Sequence, residues 1–153
     1  MRDQQVKNKR FSVIIIGYNI EEYIERAIIS VENQSFKDIE IIVIDACSTD
    51  KTADKILELS LKYKNIIFKK SDKEKNAGGA RNIGLDIATG EYIVFLDGDD
   101  HLADPEVLDR LNKTIGHDEP DIIYLGFKIE GNREEIVIPN EENCTKTYRA
   151  ASD

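Results

Sequence analysis

Histidine is nearly absent from this chain, cysteine is scarce, and positive charge is in deficit. The two histidines, His101 and His117, leave little material for a Ser-His-Asp hydrolase. The two cysteines, Cys47 and Cys144, stand far apart and in no CxxC pattern. That argues against a zinc site or a disulfide framework and for free thiols in a reducing compartment. Lys and Arg number 21 against 30 Asp and Glu, a formal net charge of −9. Broad nucleic-acid binding needs a basic surface and is not expected. An anionic ligand would have to be held by local devices: a metal, a helix N-terminus, or one or two basic side chains. No run approaches the ~18 apolar residues of a membrane span. The opening stretch MRDQQVKNKR is polar, and Phe11 to Ile16 behind it is too short for a signal-peptide core. A cytoplasmic protein is expected, and association with the cytoplasmic membrane face stays compatible with that. The glycine signatures of common nucleotide folds are missing too. No GxGxxG follows the first strand and no GxxxxGK[ST] occurs, so neither a dinucleotide dehydrogenase nor a P-loop NTPase is favoured.

What is present is enough for one domain with a core: 153 residues, 41% hydrophobic and 33% charged. The stretch that organises the rest is Gly90 to Asp100, GEYIVFLDGDD. Tyr92 to Leu96 has the apolar, β-branched and aromatic character of a buried strand. It ends in three carboxylates, Asp97, Asp99 and Asp100, around Gly98. Like charges this close oppose one another's ionisation. A hard divalent cation such as Mg²⁺ or Mn²⁺ removes the conflict and would in turn hold a phosphate-bearing substrate. Alone, the same residues also read as a solvated turn, because Asp and Gly are ordinary turn residues.

In chain order, residues 1–10 read as a flexible lead-in and Phe11 to Ile16 as a strand buried on both faces. Gly17-Tyr18-Asn19 breaks it. Ile20, Tyr23, Ile24, Ala27, Ile28 and Val31 then recur at helical spacing, with Asn19 the expected N-cap. Ile39 to Ile44 is a second buried strand ending in Asp45. Ser48, Thr49 or Asp50 is expected to cap the next helix, which carries Ile56, Leu59 and Tyr63 on one face. Ile66 to Phe68 is a short third strand, and Lys69 to Lys75 a solvated loop. Asn76 to Thr89 predicts a helix with a small-residue face, Ala80, Ile83, Gly84, Ile87 and Ala88. Free N–H groups near Gly78 and Gly79 at its start are candidate anion donors. Asp104-Pro105 predicts the start of a helix closed by Gly116. Ile122 to Phe127 reads as a strand, and Glu134 to Pro139 as a further one, hairpin-paired. Strands alternating with helices predict an α/β fold of parallel βαβ units. Ligands in such sheets bind beyond the carboxyl ends of the strands, so Gly17-Tyr18-Asn19, Asp45 and Asp97-Gly98-Asp99 are expected to face one crevice. His101 reads as a partly exposed loop residue, and nothing near Cys47 in sequence marks it as a nucleophile.

FSVIIIGYNIEEYIERAIISVENQSF, IEIIVIDACSTDKT, NAGGARNIGLDIATGEYIVFLDGDD and ADPEVLDRL occur in this order over residues 11–112. Together they resemble the nucleotide-sugar-binding part of the family 2 glycosyltransferases. The resemblance implies a GT-A fold, a Rossmann-like three-layer α/β/α arrangement with a mostly parallel sheet. It implies an inverting, metal-dependent transfer of sugar from a nucleoside diphosphate sugar, a UDP-sugar first among them, to a hydroxyl of a glycan, lipid-linked or protein acceptor. Mn²⁺ or Mg²⁺ is the implied cofactor. Asp97 and Asp99 match the DxD pair, the second acid binding the metal and the first lying near the ribose or the metal. Asp45 matches an acid that helps hold the nucleoside. Ile16, Gly17 and Tyr18 match the segment lining the base pocket. Gly79, Arg81 and Asn82 match a loop beside the donor, where Arg81 offers a fixed positive charge to phosphate or pairs with Asp97 or Asp45.

The chain departs from the family pattern in three places. Ala46-Cys47 follows Asp45 where a second acid and a glycine are common, and Ile16 stands where proline is usual. No residue matches the general-base carboxylate of the acceptor half, so the catalytic base is unassigned. The expected organisation is residues 11–130 as the nucleotide-sugar-binding domain and 131–153 as a hairpin and tail leading to an acceptor half beyond the chain. These departures keep a second expectation in view, a nucleotide-sugar-binding module without catalysis.

Overall fold

The computed structural model describes residues 9–71, 76–118, 120–123, 125–126 and 147–148. Residues 1–106 and 107–153 form two compact units. The first is a four-stranded sheet of β1 (Phe11–Gly17), β2 (Ile39–Asp45), β3 (Ile66–Lys70) and β4 (Tyr92–Asp97), in the order β3-β2-β1-β4. Every pairing is parallel, with Gly17 opposite Asp45 and Ile16 opposite Asp97 at the carboxyl ends.

Alternation of side chains divides the central strands between two cores. Ile14 and Ile16 of β1 and Ile42 and Ile44 of β2 pack with Ala80, Ile83 and Ile87 of α3 (Ala77–Ile87). A Cβ on Gly84 would stand 2.5 Å from Ile14 Cγ2, so the small-residue face does bring this helix close to the sheet. The alternate residues Val13, Ile15, Ile41 and Val43 are fully buried on the opposite face, where α1 (Ile24–Glu32) and α2 (Thr52–Lys62) pack. The result is the expected three-layer α/β/α order.

Several local expectations change. β4 is less buried than its apolar run predicts: among the described residues it stands at the edge of this sheet, and its Phe95 is 45% exposed. An apolar run reports affinity for a core but not the number of strands beside it. The first helix starts at Ile24 with Tyr23 at the N-cap, and Tyr23 is exposed although it falls on the helical periodicity. Asn19 is not its cap. Its φ is 51°, the left-handed region that asparagine tolerates, and its side chain turns to another loop. None of the three candidates is the N-cap of α2, which is Lys51 without a side-chain cap bond; Asp50, one residue earlier, accepts from the Thr52 N–H through Oδ1 at 2.9 Å. Lys69 and Lys70 belong to β3 and not to a loop. Residues 72–75 lie outside the described residues.

The second unit begins with α4 (Val107–Asp118), whose Leu108, Leu111 and Ile115 are buried as their spacing predicts. Gly116 does not end this helix, which continues to Asp118. Just before it, Asp104 Oδ1 accepts from the Glu106 N–H at 2.8 Å, so Asp104 caps a turn ahead of the helix. β5 is Ile122–Ile123, shorter than the expected strand, and pairs antiparallel with β6, Thr147–Tyr148. The expected strand at Glu134 to Pro139 lies outside the described residues.

Candidate functional site

At the carboxyl ends of the sheet's strands, three chain segments leave side by side. β1 passes into Gly17-Tyr18-Asn19, β2 into Ala46-Cys47, and β4 into Gly98-Asp99-Asp100. The ladder is tied at its rim by Ala46 N–H to Gly17 O and Gly98 N–H to Ile16 O, both 2.8 Å. A Cβ on Gly98 would lie 2.8 Å from Ile16 O and 2.4 Å from Ile20 Cδ1. Only glycine lets the acidic turn sit this tightly on the end of β1.

Between the segments lies a cleft of about 220 Å³. One wall is Ile16, Gly17, Tyr18 and Ile20; Ala46 lies at the end of β2. Ala77 and Ala80 come from α3, and Asp97, Gly98 and Asp99 from β4. The volume is below the 300–1,000 Å³ usual for drug-sized ligands and suits part of a nucleotide. The crevice expected from the strand tips is therefore present. Ile20, Ala77 and Ala80 were not anticipated as lining, because apolar residues on a helix read as core.

The acidic turn is closed by the Asp100 N–H donating to Asp97 O at 2.9 Å. Asp97 Oδ1 accepts from the Arg81 guanidinium at 2.6 Å, with both side chains partly open to solvent. The same guanidinium lies 5.9 Å from the centroid of the Phe95 ring, within cation–π range. Arg26 donates to the Asp99 carbonyl at 3.4 Å. Burial, followed by the charges of Asp99 and Asp97, pushes the Asp100 carboxyl above its ordinary range, while His101 and Arg26 pull the other way. Among the described residues no group of three or more His, Cys, Asp or Glu is arranged to hold a metal ion. Asp97 and Asp99 remain two oxygen donors on the cleft wall. Mg²⁺ characteristically takes one or two carboxylates and completes its shell with phosphate oxygens and water. The donor chemistry therefore fits such a cation together with a diphosphate.

The other anticipated residues lie around the cleft. Asp45 is fully buried; its carboxylate accepts from the Ser48 N–H at 3.2 and 3.3 Å and has Lys70 Nζ at 3.9 Å. It stands behind Ala46 and not on the cleft wall. Cys47 has φ 66° and directs its thiol to Ser71 O at 2.9 Å. Arg81 and the exposed Asn82 sit on the first turns of α3. Gly79 does not offer a free N–H, because it donates to Asn76 Oδ1 at 2.7 Å, the N-cap bond of α3. Asn76 takes the donor on which an anion would have relied. His101 is partly exposed, as expected.

Comparison with known proteins gives a consistent result. The Glycosyl transferase family 2 model matches residues 12–150. An uncharacterized glycosyltransferase of Haemophilus influenzae is 41% identical over 139 residues, 86% of this chain and 53% of that protein. The poly(ribitol-phosphate) beta-N-acetylglucosaminyltransferase TarS of Staphylococcus aureus is 36% identical over 125 residues, 78% of this chain and 21% of TarS. The crystal structure of TarS 1–349 in complex with UDP-GlcNAc matches with a TM-score of 0.72 and 32% identity, over 81% of this chain and 36% of that one. The mannosyltransferase PcManGT of Pyrobaculum calidifontis, in complex with GDP-Man and Mn²⁺, has a TM-score of 0.71 at 22% identity and so shares the fold. The chain spans about half the length of the first of these proteins and about a fifth of TarS.

Proposed function

The chain belongs to glycosyl transferase family 2, and from that premise we propose that it is the donor-binding part of an enzyme moving a sugar from a nucleoside diphosphate sugar to an acceptor hydroxyl. The observation that carries the reading is the convergence of the β1 and β4 tips with Ala46 on one cleft whose open wall is Asp97-Gly98-Asp99. A UDP-sugar is the proposed donor. TarS, a homologue by sequence and structure, is bound to UDP-GlcNAc in one crystal structure and to UDP in another. The names of related Escherichia coli and Campylobacter jejuni enzymes specify undecaprenol-linked acceptors. A lipid-linked or other glycan acceptor at a membrane face follows as a proposal. Among the described residues no helix is long and apolar enough to cross a membrane.

In this reading Ile16, Gly17 and Tyr18 line the base, and Asp45, held behind Ala46, fixes the shape of that wall. Arg81 holds Asp97 in place and adds positive charge beside the diphosphate, with Gly79 and Asn82 on the same helix start. Asp99, with Asp97, would hold Mg²⁺ or Mn²⁺, which when bound supplies Lewis-acid neutralisation of the leaving diphosphate. The acceptor oxygen forms its bond to the anomeric carbon on the face opposite the diphosphate, whose C–O bond breaks, and inversion results. The acceptor proton goes to a general base that is assigned to none of the residues described here. A second reading, a binding module without transfer, is favoured by one observation: the apolar Ala46 stands on the cleft wall where the resemblance leads one to expect an acid.

Asp99→Ala tests the reading by calorimetry with UDP and Mn²⁺. Metal-dependent binding falls by about a hundredfold or more, and the exposed position of Asp99 leaves the fold intact. Unchanged binding in a folded variant would remove the carboxylate turn from the site. Transfer or donor hydrolysis by a longer form of the protein separates the enzyme from the module.

A further inference from the structure

The two loops that form the base-side wall are joined by a set of bonds that the donor reading does not use. The β1–β2 ladder ends at Gly17 and Asp45, and beyond the Ala46 N–H to Gly17 O bond no backbone pairing continues. From there the loops are held by side chains. The Asn19 N–H donates to Ser48 Oγ at 2.9 Å, and Asn19 Oδ1 accepts from the Thr49 N–H at 2.8 Å. The Ile20 N–H donates to Thr52 Oγ1 at 2.9 Å, and the Glu21 N–H to Asp50 Oδ2 at 3.1 Å. The Lys51 N–H returns the link to Glu21 Oε2 at 2.8 Å. Three consecutive residues of one loop are thus tied to five consecutive residues of the other.

Asn19 is the pivot. Its neighbours Tyr18 and Ile20 both line the cleft, while Asn19 itself does not. Asn19 stands between them in the left-handed conformation, which asparagine reaches at little cost. Its oxygen then anchors the turn to the loop that carries Ala46. Resting on the donor-site reading above, we propose that Asn19 is a positioning residue: it locks the β1 tip to the β2 tip and so fixes the spacing of Tyr18, Ile20 and Ala46 across the base pocket, without touching the nucleotide.

The test compares three variants of the chain. Asn19→Gly keeps the left-handed backbone and loses the oxygen; Asn19→Asp keeps both; Ser12→Ala removes a buried hydroxyl at the far end of the same strand. In calorimetry with UDP and Mn²⁺, Asn19→Gly weakens binding by about tenfold. Asn19→Asp stays close to the parent, and Ser12→Ala leaves affinity unchanged while lowering the melting temperature at least as much as Asn19→Gly does. Parental affinity in Asn19→Gly, or an equal loss in Ser12→Ala, would overturn the proposal. A second arm needs no ligand. Amide exchange at Ile20, Glu21 and Thr49 quickens in Asn19→Gly while that of Ile14 and Ile42 does not; no change at the three loop amides also overturns it. A parent chain that binds no nucleotide would sink the donor reading, and the exchange arm would still decide whether Asn19 joins the tips.

Discussion

The two ends of the parallel sheet are both polar, yet they use polarity in opposite ways. At the amino end, Ser12 and Glu40 interrupt otherwise apolar strands and face each other in register. The buried Glu40 accepts from the Ser12 hydroxyl, from the Thr89 N–H at 2.6 Å and from Thr89 Oγ1 at 3.1 Å, and the Gly90 N–H donates to Ser12 Oγ at 2.7 Å. Every partner is supplied by the protein, and the network pins the loop entering β4. At the carboxyl end, Asp97, Asp99 and Asp100 stand together on an exposed turn, with Asp97 paired to Arg81. Satisfied polar groups stabilise one end. Carboxylates crowded on the other leave an electrostatic requirement that a ligand can meet.

Lesions at the amino end should therefore reduce stability and leave nucleotide affinity alone. The largest such effect is expected for Gly90→Ala. Its Cβ would fall 2.4 Å from the Ser12 nitrogen and 2.7 Å from the Phe11 carbonyl carbon, backbone atoms with no freedom to yield. A loss of about 3 kcal/mol in denaturant unfolding follows from such overpacking. A variant as stable as the parent would contradict the close approach. Glu40→Ala comes next. It leaves the Thr89 N–H and the Ser12 hydroxyl without their acceptor, at about 2 kcal/mol, with UDP affinity unchanged. A drop in affinity of tenfold there would mean that the two ends are coupled and the comparison fails.

The smallest effect sharpens the comparison from the other side, because one carboxylate at the cleft end is structural. Burial opposes the charge of Asp50, but hydrogen bonds from the Thr52 side chain and backbone and from the Glu21 backbone outweigh it, and its pKa is lowered. A lowered folded-state value stabilises above the ordinary value near 4 and is lost as pH falls through the folded-state one. The stability gap between the parent and Asp50→Asn should be about 0.5 kcal/mol near neutrality, small because the site is only partly buried and water screens it. It should shrink below pH about 4. A gap that widens on acidification would reverse the sign assigned here.

Much of this was legible in the sequence, for physical reasons. The β1 and β2 runs are so apolar that only a doubly covered parallel strand accommodates them, and Gly84 in a helical pattern announced close packing. The acidic strand tip and its neighbours pointed to one crevice because parallel strands must end together. What failed had equally local causes. Asparagine after a strand serves as a helix cap or as a left-handed pivot, and only tertiary partners decide; at Asn19, Ser48 and Thr49 decided. Gly116 is compatible with a helix end and with a helix interior. Gly79 offered an N–H until Asn76 was placed to take it. The buried Glu40 went unread, although one polar residue inside each of two apolar runs, Ser12 and Glu40, was the available signal.

The most direct measurement is a thermal-shift titration of this chain with UDP, GDP, CDP and dTDP, each with and without Mn²⁺. A ligand that binds only the folded state raises the melting temperature, by about 2.7 kcal/mol of stabilisation at a hundred times its Kd. The account predicts a rise with UDP that disappears when Mn²⁺ is withheld. No rise with any nucleotide in either condition would contradict it.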